Sequence, residues 1–232
     1  MTLVLVVRHG LTASTGKALT GWTPGISLDD RGREQAAALG ERLSGVPIDA
    51  IITSPLERCQ ETAALIAAAR EQSPVTHVDD RLGECRYGDW TGRPLKRLAA
   101  DPLWPVVQAH PSAVRFPGPA GESMLAMQQR AVAAIRDWNA ALGRDAVWLA
   151  CSHGDVIKAI LADSLGMHLD MLQRIQVDPC SLSAIRYTPL RPFVLRMNDT
   201  GGEVAGLVRP VRQRRARQAD AQVGGGDGAA AG

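Results

Sequence analysis

Apolar runs of four to six residues alternate along this chain with longer segments whose apolar residues recur at helical spacing. Six apolar runs predict strands: 3–7, 50–53, 75–78, 146–151, 182–187 and 193–197. Helical spacing between cap signals predicts four main helices: about 29–45, 54–70, 122–142 and 154–165. Strands that alternate with helices favour an α/β fold. We expect a three-layer, doubly wound, mainly parallel sheet with helices on both faces.

The segment Ser54-Pro55-Leu56-Glu57 has the composition of a helix start. Ser54 is placed to cap the helix, Pro55 suits the first helical position, and Glu57 completes a capping box. Arg58 then falls in the first turn of that helix, just past the end of a predicted strand. Because a helix N-terminus presents free N–H groups and partial positive charge, this turn is a candidate anion site.

The periodic pattern occupies residues 1–200, with an irregular insert near 92–120 that we expect to form much of a substrate pocket. From residue 201 onward the pattern dissolves into Arg, Gly and Ala, which predicts a disordered tail over 201–232. The net charge is only +2, so the total charge implies no strong electrostatic partner. Specific nucleic-acid binding needs a folded basic face, and the basic excess lies in the predicted tail, so we expect none.

The four cysteines are scattered and form no C-x-x-C pair, which argues against both a disulfide scaffold and a zinc site. This usage fits a reduced, cytoplasmic compartment. The N-terminus lacks the basic region and apolar run of a signal peptide. No window approaches the roughly 18 apolar residues of a membrane helix, so we expect no membrane partner.

Chemistry-bearing residues follow several of the predicted strands. Arg8-His9-Gly10 ends the first strand and Ser152-His153-Gly154 ends a later one. Arg58 and Glu84 follow two further strands. In a parallel α/β sheet, ligands bind beyond the carboxyl ends of the strands, so these side chains are expected at one edge. Two histidines, two arginines and a carboxyl group there have the chemistry of a phosphoryl-transfer site.

These motifs together resemble the histidine phosphatase superfamily, the phosphoglycerate-mutase-like fold. The resemblance runs from Leu3 to about Asn198. Eight segments carry it in this order: Arg8-His9-Gly10, Thr20-Gly21-Trp22, 28–36, 54–58, Leu82-Gly83-Glu84, 87–92, Gly121-Glu122-Ser123 and Ser152-His153-Gly154. Segments 90–96, 110–112 and 116–118 are similar to an actinobacterial subgroup described as phosphomutases.

The resemblance and the chemistry of the side chains imply roles for five residues. A neutral His9 ring is the expected nucleophile, which forms a covalent phosphohistidine while its other nitrogen donates to a backbone carbonyl. Arg8 and Arg58 are expected to clamp the phosphoryl oxygens. His153 adds a hydrogen bond or positive charge to the same oxygens. Glu84 protonates the leaving oxygen and then accepts a proton from water, so its environment should raise its pKa.

Four further residues are expected to bind substrate: Thr15, Thr20, Gly21 and Gly154. Thr15 stands where the family often has an asparagine that helps to hold phosphate. Its hydroxyl can still donate one hydrogen bond, so we expect a less efficient contact rather than a lost reaction. We expect no metal and no cofactor, because the pairs of His, Asp and Glu around the site lack ligand spacing and the arginines already supply positive charge.

The leading hypothesis is an enzyme that hydrolyses phosphomonoesters of a small metabolite. The alternative is a phosphomutase, in which a substrate hydroxyl rather than water intercepts the same phosphohistidine. The long insert typical of the glycolytic mutases is missing between Gly92 and Gly121, which favours hydrolysis. A non-catalytic phosphate-binding module is the third reading, and it is disfavoured because His9 and Glu84 are both present. A homodimer is left open.

Overall fold

Six strands form one sheet in the order β3-β2-β4-β1-β5-β6. The computed structural model describes residues 1–201. The strands are β1 Thr2–Arg8, β2 Ala50–Thr53, β3 Val75–Val78, β4 Val147–Ser152, β5 Leu182–Tyr187 and β6 Pro192–Asp199. The α-helices are α1 Asp30–Leu43, α2 Glu57–Ala68, α3 Leu95–Leu98, α4 Trp104–Ala109, α5 Met124–Leu142 and α6 Gly154–Ser164. Short 3-10 helices occupy Asp80–Leu82, Gly88–Trp90, Pro111–Ala113 and Leu169–Arg174.

The centre of the sheet is parallel. Strand β4 lies between β1 and β2 and runs parallel to both, and β2 is also parallel to β3. Strands β5 and β6 are antiparallel additions beyond β1. The carboxyl ends of β1, β2 and β4 therefore meet at one edge, where the sequence places Arg8, Ser54 and His153.

Two hydrophobic clusters cover the two faces of the sheet. Helices α5 and α6, the insert and one face of the sheet form one cluster, which includes Trp90 just before the insert, Phe116 within it and Trp148 of β4, all fully buried. Helices α1 and α2 supply the other, which includes Leu39 and Ile66. Helices on both faces of a mainly parallel sheet confirm the predicted three-layer α/β architecture.

The starts of α1 and α2 show one success and one failure of local sequence signals. Asp29, the first residue of the predicted helix 29–45, caps α1, since its Oδ1 accepts the Gly32 N–H at 2.8 Å. The capping box predicted at Ser54 and Glu57 is wrong, because α2 begins at Glu57 and Leu56 occupies the N-cap without a side-chain cap bond. Glu57 instead accepts the Gly25 N–H at 2.8 Å, so a tertiary partner has replaced the local one.

Two of the sequence predictions concern membrane-spanning helices and the C-terminal tail. Among the helices of residues 1–201, none combines the length and apolar character needed to cross a bilayer. The segment 201–232 is predicted to be a disordered tail. All of it except its first residue, Gly201, lies outside the described residues.

Candidate active site

A close contact between two glycines shapes the loop after β1. A Cβ on Gly10 would lie 2.5 Å from the Gly32 carbonyl oxygen, and one on Gly32 would lie 2.0 Å from that of Leu11. The start of α1 therefore packs directly against the backbone that follows His9. Thr62 of α2 accepts the Gly10 N–H at 3.1 Å and holds the same loop from the other side.

The ring of His9 is buried and its orientation is set by the backbone. Its Nδ1 lies 2.7 Å from the Gly10 carbonyl oxygen, which can only accept, so Nδ1 carries the proton. Its Nε2 then presents a lone pair, which accepts a hydrogen bond from Arg58 Nε at 3.3 Å. Burial, followed by the charges of Arg58 and Arg8, holds the pKa of His9 well below its usual range. These contacts favour a neutral ring with its lone pair on Nε2.

Arg58 lies at the centre of the cluster, in the first turn of α2 and 1% exposed. Its Nη2 donates to the Gly21 carbonyl at 2.9 Å and lies 3.2 Å from His153 Nδ1. Its Nη1 is buried and has no hydrogen-bond partner among residues 1–201. A buried guanidinium N–H without a partner costs free energy, so this atom is suited to a ligand oxygen.

His153 is fully buried at the N-cap of α6, directly after β4. Its Nε2 lies 2.7 Å from Ser54 Oγ, and its ring centroid is 5.2 Å from that of His9. Because Nδ1 accepts a hydrogen bond from Arg58, the neutral ring carries its proton on Nε2, and this N–H donates to Ser54 Oγ. Burial, and then the charge of Arg58, holds the pKa of His153 well below its usual range.

Glu84 follows the 3-10 helix Asp80–Leu82 and is 5% exposed. Its Oε2 lies 4.0 Å from His153 Nδ1, and its Oε1 accepts the Cys85 N–H at 2.9 Å. Burial, and then the charge of Asp155, raise the pKa of Glu84 to about 7, against the opposing effects of the Cys85 hydrogen bond, Arg58 and Arg8. The carboxyl group is thus poised to exchange a proton near neutral pH.

Arg8 ends β1 and is 4% exposed. Its Nη1 donates to the Val177 carbonyl at 2.7 Å, so the segment before β5 fixes one arm of the guanidinium. Burial lowers the pKa of Arg8, although the negative charges of Glu84, Asp178 and Asp155 oppose that shift.

The four predicted substrate-binding residues divide into two pairs. Gly21 contacts Arg58 through its carbonyl, and Gly154 is the first residue of α6 beside His153. Thr15 bonds within its own loop, where its hydroxyl accepts the Thr12 N–H at 3.0 Å. Thr20 also closes a turn, since its carbonyl accepts from the Thr23 hydroxyl at 2.7 Å. The glycines thus adjoin the histidine and arginine cluster, whereas the described bonds of both threonines are local.

Several residues that sequence reasoning did not select also build the site. Trp22 Nε1 and Arg130 Nη2 both donate to the Glu84 carbonyl, at 2.5 Å and 2.9 Å, and hold its backbone. Ser54 was assigned to a helix cap and instead bonds His153. Asp155 and Lys158 were not singled out, because their helix has the pattern of a buried apolar segment. Their closeness to the histidine motif was the one available signal.

Within residues 1–201, no group of three or more His, Cys, Asp or Glu side chains is arranged to hold a metal ion. All four cysteines are buried and free. Burial raises the pKa values of the Cys85 and Cys151 thiols well above their usual range. Both remain thiols, and their position in the core agrees with a packing role.

Comparisons with known proteins assign the class. The family model described as the histidine phosphatase superfamily (branch 1) matches residues 4–200. A 2,3-bisphosphoglycerate-dependent phosphoglycerate mutase 2 of Gloeobacter violaceus is 29% identical over 188 residues, which cover 78% of this chain and 83% of that protein. A glucosyl-3-phosphoglycerate phosphatase of Mycolicibacterium vanbaalenii is 32% identical over 176 residues, which cover 72% and 76% of the two chains.

Among solved structures, Bacillus stearothermophilus YhfR superposes with a TM-score of 0.77 at 28% identity, over 86% of this chain and 98% of that one. The fold and site define an α/β enzyme of phosphoryl transfer. More narrowly, the chain belongs to the histidine phosphatase superfamily, branch 1. Its relatives carry both phosphatase and phosphomutase names.

Proposed function

We propose that this protein hydrolyses phosphomonoesters of a small metabolite through a phosphohistidine formed on His9. One observation carries the proposal. The hydrogen bond from Nδ1 to the Gly10 carbonyl leaves the Nε2 lone pair of a neutral ring beside a buried arginine with an unpartnered N–H, as far as residues 1–201 extend. A nucleophile and an oxyanion-binding group are therefore adjacent.

In the first step, His9 Nε2 attacks phosphorus and the bond from phosphorus to the ester oxygen breaks. The leaving oxygen takes the proton of Glu84 and departs as an alcohol. In the second step, Glu84 accepts a proton from water as the water oxygen attacks phosphorus. The phosphorus–nitrogen bond breaks, its electrons return to His9, and inorganic phosphate is released.

Four further groups stabilise the charge on the transferred phosphoryl group in this mechanism. Arg8 and Arg58 donate to its oxygens, where their planar forks match the charge distribution. The negative charge of the phosphate favours protonation of His153, which then adds a third donor. Gly154 contributes its backbone N–H at the start of α6.

The substrate is small and phosphorylated, and it reaches the site past the loop of Thr15, Thr20 and Gly21. We assign these three residues to substrate binding, the threonines through their hydroxyls. The insert supplies exposed basic side chains for further anionic or hydroxylated groups: Arg93, Lys96, Arg97 and Arg115. Metal independence and a cytoplasmic location complete the proposal, and a homodimer is compatible with it.

Phosphomutase activity is the second candidate, and the mutase relative from Gloeobacter violaceus favours it. It needs the same phosphohistidine and differs only in the second acceptor. A non-catalytic phosphate-binding module is less well supported, since the nucleophile and the acid are both in place.

Rapid quench with a ³²P-labelled phosphomonoester tests the covalent step. We expect label that is stable in base, labile in acid and absent from His9→Ala. His77→Ala is the matched control, because His77 lies on the exposed edge strand β3 and packs on Trp138. Label that is acid-stable, or that survives in His9→Ala, would contradict the assignment. Adding phosphoglycerates, sugar phosphates or inositol phosphates as acceptors, with EDTA present, then separates transfer to water from transfer to a hydroxyl.

A further inference from the structure

Three polar side chains are buried behind the proposed acid, and the proposed mechanism does not use them. Asp155 is 0% exposed, and Tyr87 and Lys158 are each 1% exposed. The Tyr87 hydroxyl donates a hydrogen bond to Asp155 Oδ2 at 2.8 Å, and Lys158 Nζ lies 4.0 Å from Asp155 Oδ1. A fully buried carboxylate is costly unless it is paired, and here Tyr87 and Lys158 are partners of Asp155.

The Asp155 cluster, composed of Tyr87, Asp155 and Lys158, is joined to the proposed site along the chain. Tyr87 follows Glu84 by three residues, and Asp155 follows His153 by two. Lys158 Nζ also donates to Gln173 Oε1 at 3.0 Å, and Gln173 Nε2 donates to the Val107 carbonyl of α4 at 3.3 Å. The cluster therefore lies between the proposed acid and the insert.

Glu84 faces charged and titratable groups from every element packed against it. Arg8 of β1 and Arg58 of α2 contribute positive charge, and both favour an ionised carboxylate. Arg130 of α5 donates to the Glu84 carbonyl. Neighbouring groups on its own segment are Cys85 and Tyr87, and those at the N-cap of α6 and on the helix itself are His153, Asp155 and Lys158.

These neighbours set a conflict for a general acid. Two buried arginines suit a phosphate dianion, but their charge also favours loss of the Glu84 proton that the leaving group needs. A nearby carboxylate opposes that tendency, because two adjacent negative charges disfavour each other. The charge of Asp155 is the largest cause, after burial, of the raised pKa of Glu84.

We propose that Asp155, held in place by Tyr87 and Lys158, is a positioning residue that keeps the proton on Glu84 until the ester bond breaks. This inference rests on the proposed function and adds a residue that touches neither substrate nor the reacting atoms. Tyr87 and Lys158 reduce the free-energy cost of burying the Asp155 carboxylate. Lys158 also bonds Gln173, which in turn bonds the Val107 carbonyl of the insert.

Asp155→Asn tests the idea with nearly the same shape and no charge. The readout is the pH profile of kcat/KM for an alkyl phosphate, whose leaving group needs a proton. We expect its high-pH limb to move down by about one pH unit, with a roughly tenfold loss of rate on that limb. Formation of the phosphoenzyme from p-nitrophenyl phosphate, measured in a single turnover, should change much less. Asp155→Glu restores a carboxylate and should return the limb towards the wild-type position.

Asp163→Asn is the matched control, since Asp163 lies on the same helix and pairs at the surface with Arg136. An unmoved limb in Asp155→Asn, with phosphohistidine still trapped, overturns the role of Asp155 and leaves the proposed function intact. An equal loss for both leaving groups at every pH also overturns it, because that result marks a structural role. Failure to trap phosphohistidine in the wild-type protein overturns the proposed function itself.

Discussion

Burial of Glu84 should leave a measurable signature in the pH dependence of stability. Its pKa is raised from 4.5 to about 7 in the folded protein. Below the pKa of 4.5 of the unfolded state, Glu84 is protonated in both states and does not lower the free energy of unfolding. As pH rises from the unfolded to the folded pKa, the unfolded state ionises while the folded state stays protonated, so stability is lost, and the loss is complete above the folded pKa. At about 1.4 kcal/mol for each pK unit, the shift corresponds to a loss of about 3 kcal/mol.

Glu84→Gln removes this titration while it keeps the shape and burial of the side chain. We expect the free energy of unfolding of the wild type, relative to the variant, to fall by about 3 kcal/mol between about pH 4 and about pH 8. His9 and His153 act in the opposite direction, because their lowered pKa values reduce stability as pH falls. Both rings are present in both proteins, so the difference between the two proteins isolates the carboxyl group.

Urea unfolding at half-unit pH steps provides the measurement, with the exposed Glu71→Gln as a control for the loss of one charge. The control should give a nearly constant difference from the wild type. A constant difference for Glu84→Gln as well would show that Glu84 titrates alike in the folded and unfolded states. The reasoning about its role as an acid would then fail with it.

Other consequences can be checked directly. Glu84→Gln should slow turnover of alkyl phosphates by on the order of a hundredfold, and an equal loss in phosphoenzyme formation from p-nitrophenyl phosphate would count against the assignment. Gly32→Ala places a Cβ 2.0 Å from the Leu11 carbonyl oxygen and should lower stability in urea by about 1–3 kcal/mol; an unchanged midpoint would refute this. Ser54→Ala removes the 2.7 Å partner of His153 and should lower kcat by roughly tenfold through a misoriented ring, with ring NMR shifts as the readout. Activity should survive EDTA, and strict dependence on added magnesium or zinc would contradict the mechanism.

The strands and main helices could be predicted because their apolar patterns are local and strong. Strand β1 matches its predicted run to within one residue at each end, and β2 and β3 match exactly the ranges read from the sequence. The convergence of His9, Arg58, Glu84 and His153 also followed from sequence, since a parallel sheet brings the ends of its strands to one edge. Their spatial grouping is confirmed, while their individual roles stay predictions.

The failures all involve long-range partners. The Ser54 and Glu57 pattern is a sound local signature of a cap, but Glu57 bonds Gly25, and Ser54, besides accepting the Leu56 N–H, bonds the remote His153. The pairing of Asp155 with Tyr87 joins residues 68 positions apart and leaves no periodic trace. A charged residue inside an otherwise apolar helix predicts burial or exposure equally well until its partners are known. Tertiary contacts therefore decided the features that local patterns left open.

The balance of charge around His9 explains why this arrangement suits a phosphoryl group. Arg8 and Arg58 bring two buried positive charges to the edge of the sheet, and burial keeps the rings of His9 and His153 neutral. A phosphate dianion would offset the two guanidinium charges and supply an acceptor for the buried Nη1 of Arg58, which has no hydrogen-bond partner among residues 1–201. The same positive charge lowers the pKa of Glu84, and the negative charge of Asp155 raises it again. In the proposed mechanism, the groups that bind the phosphate and the group that protonates the leaving alcohol thus have opposing electrostatic requirements, and the buried carboxylate of Asp155 reconciles them.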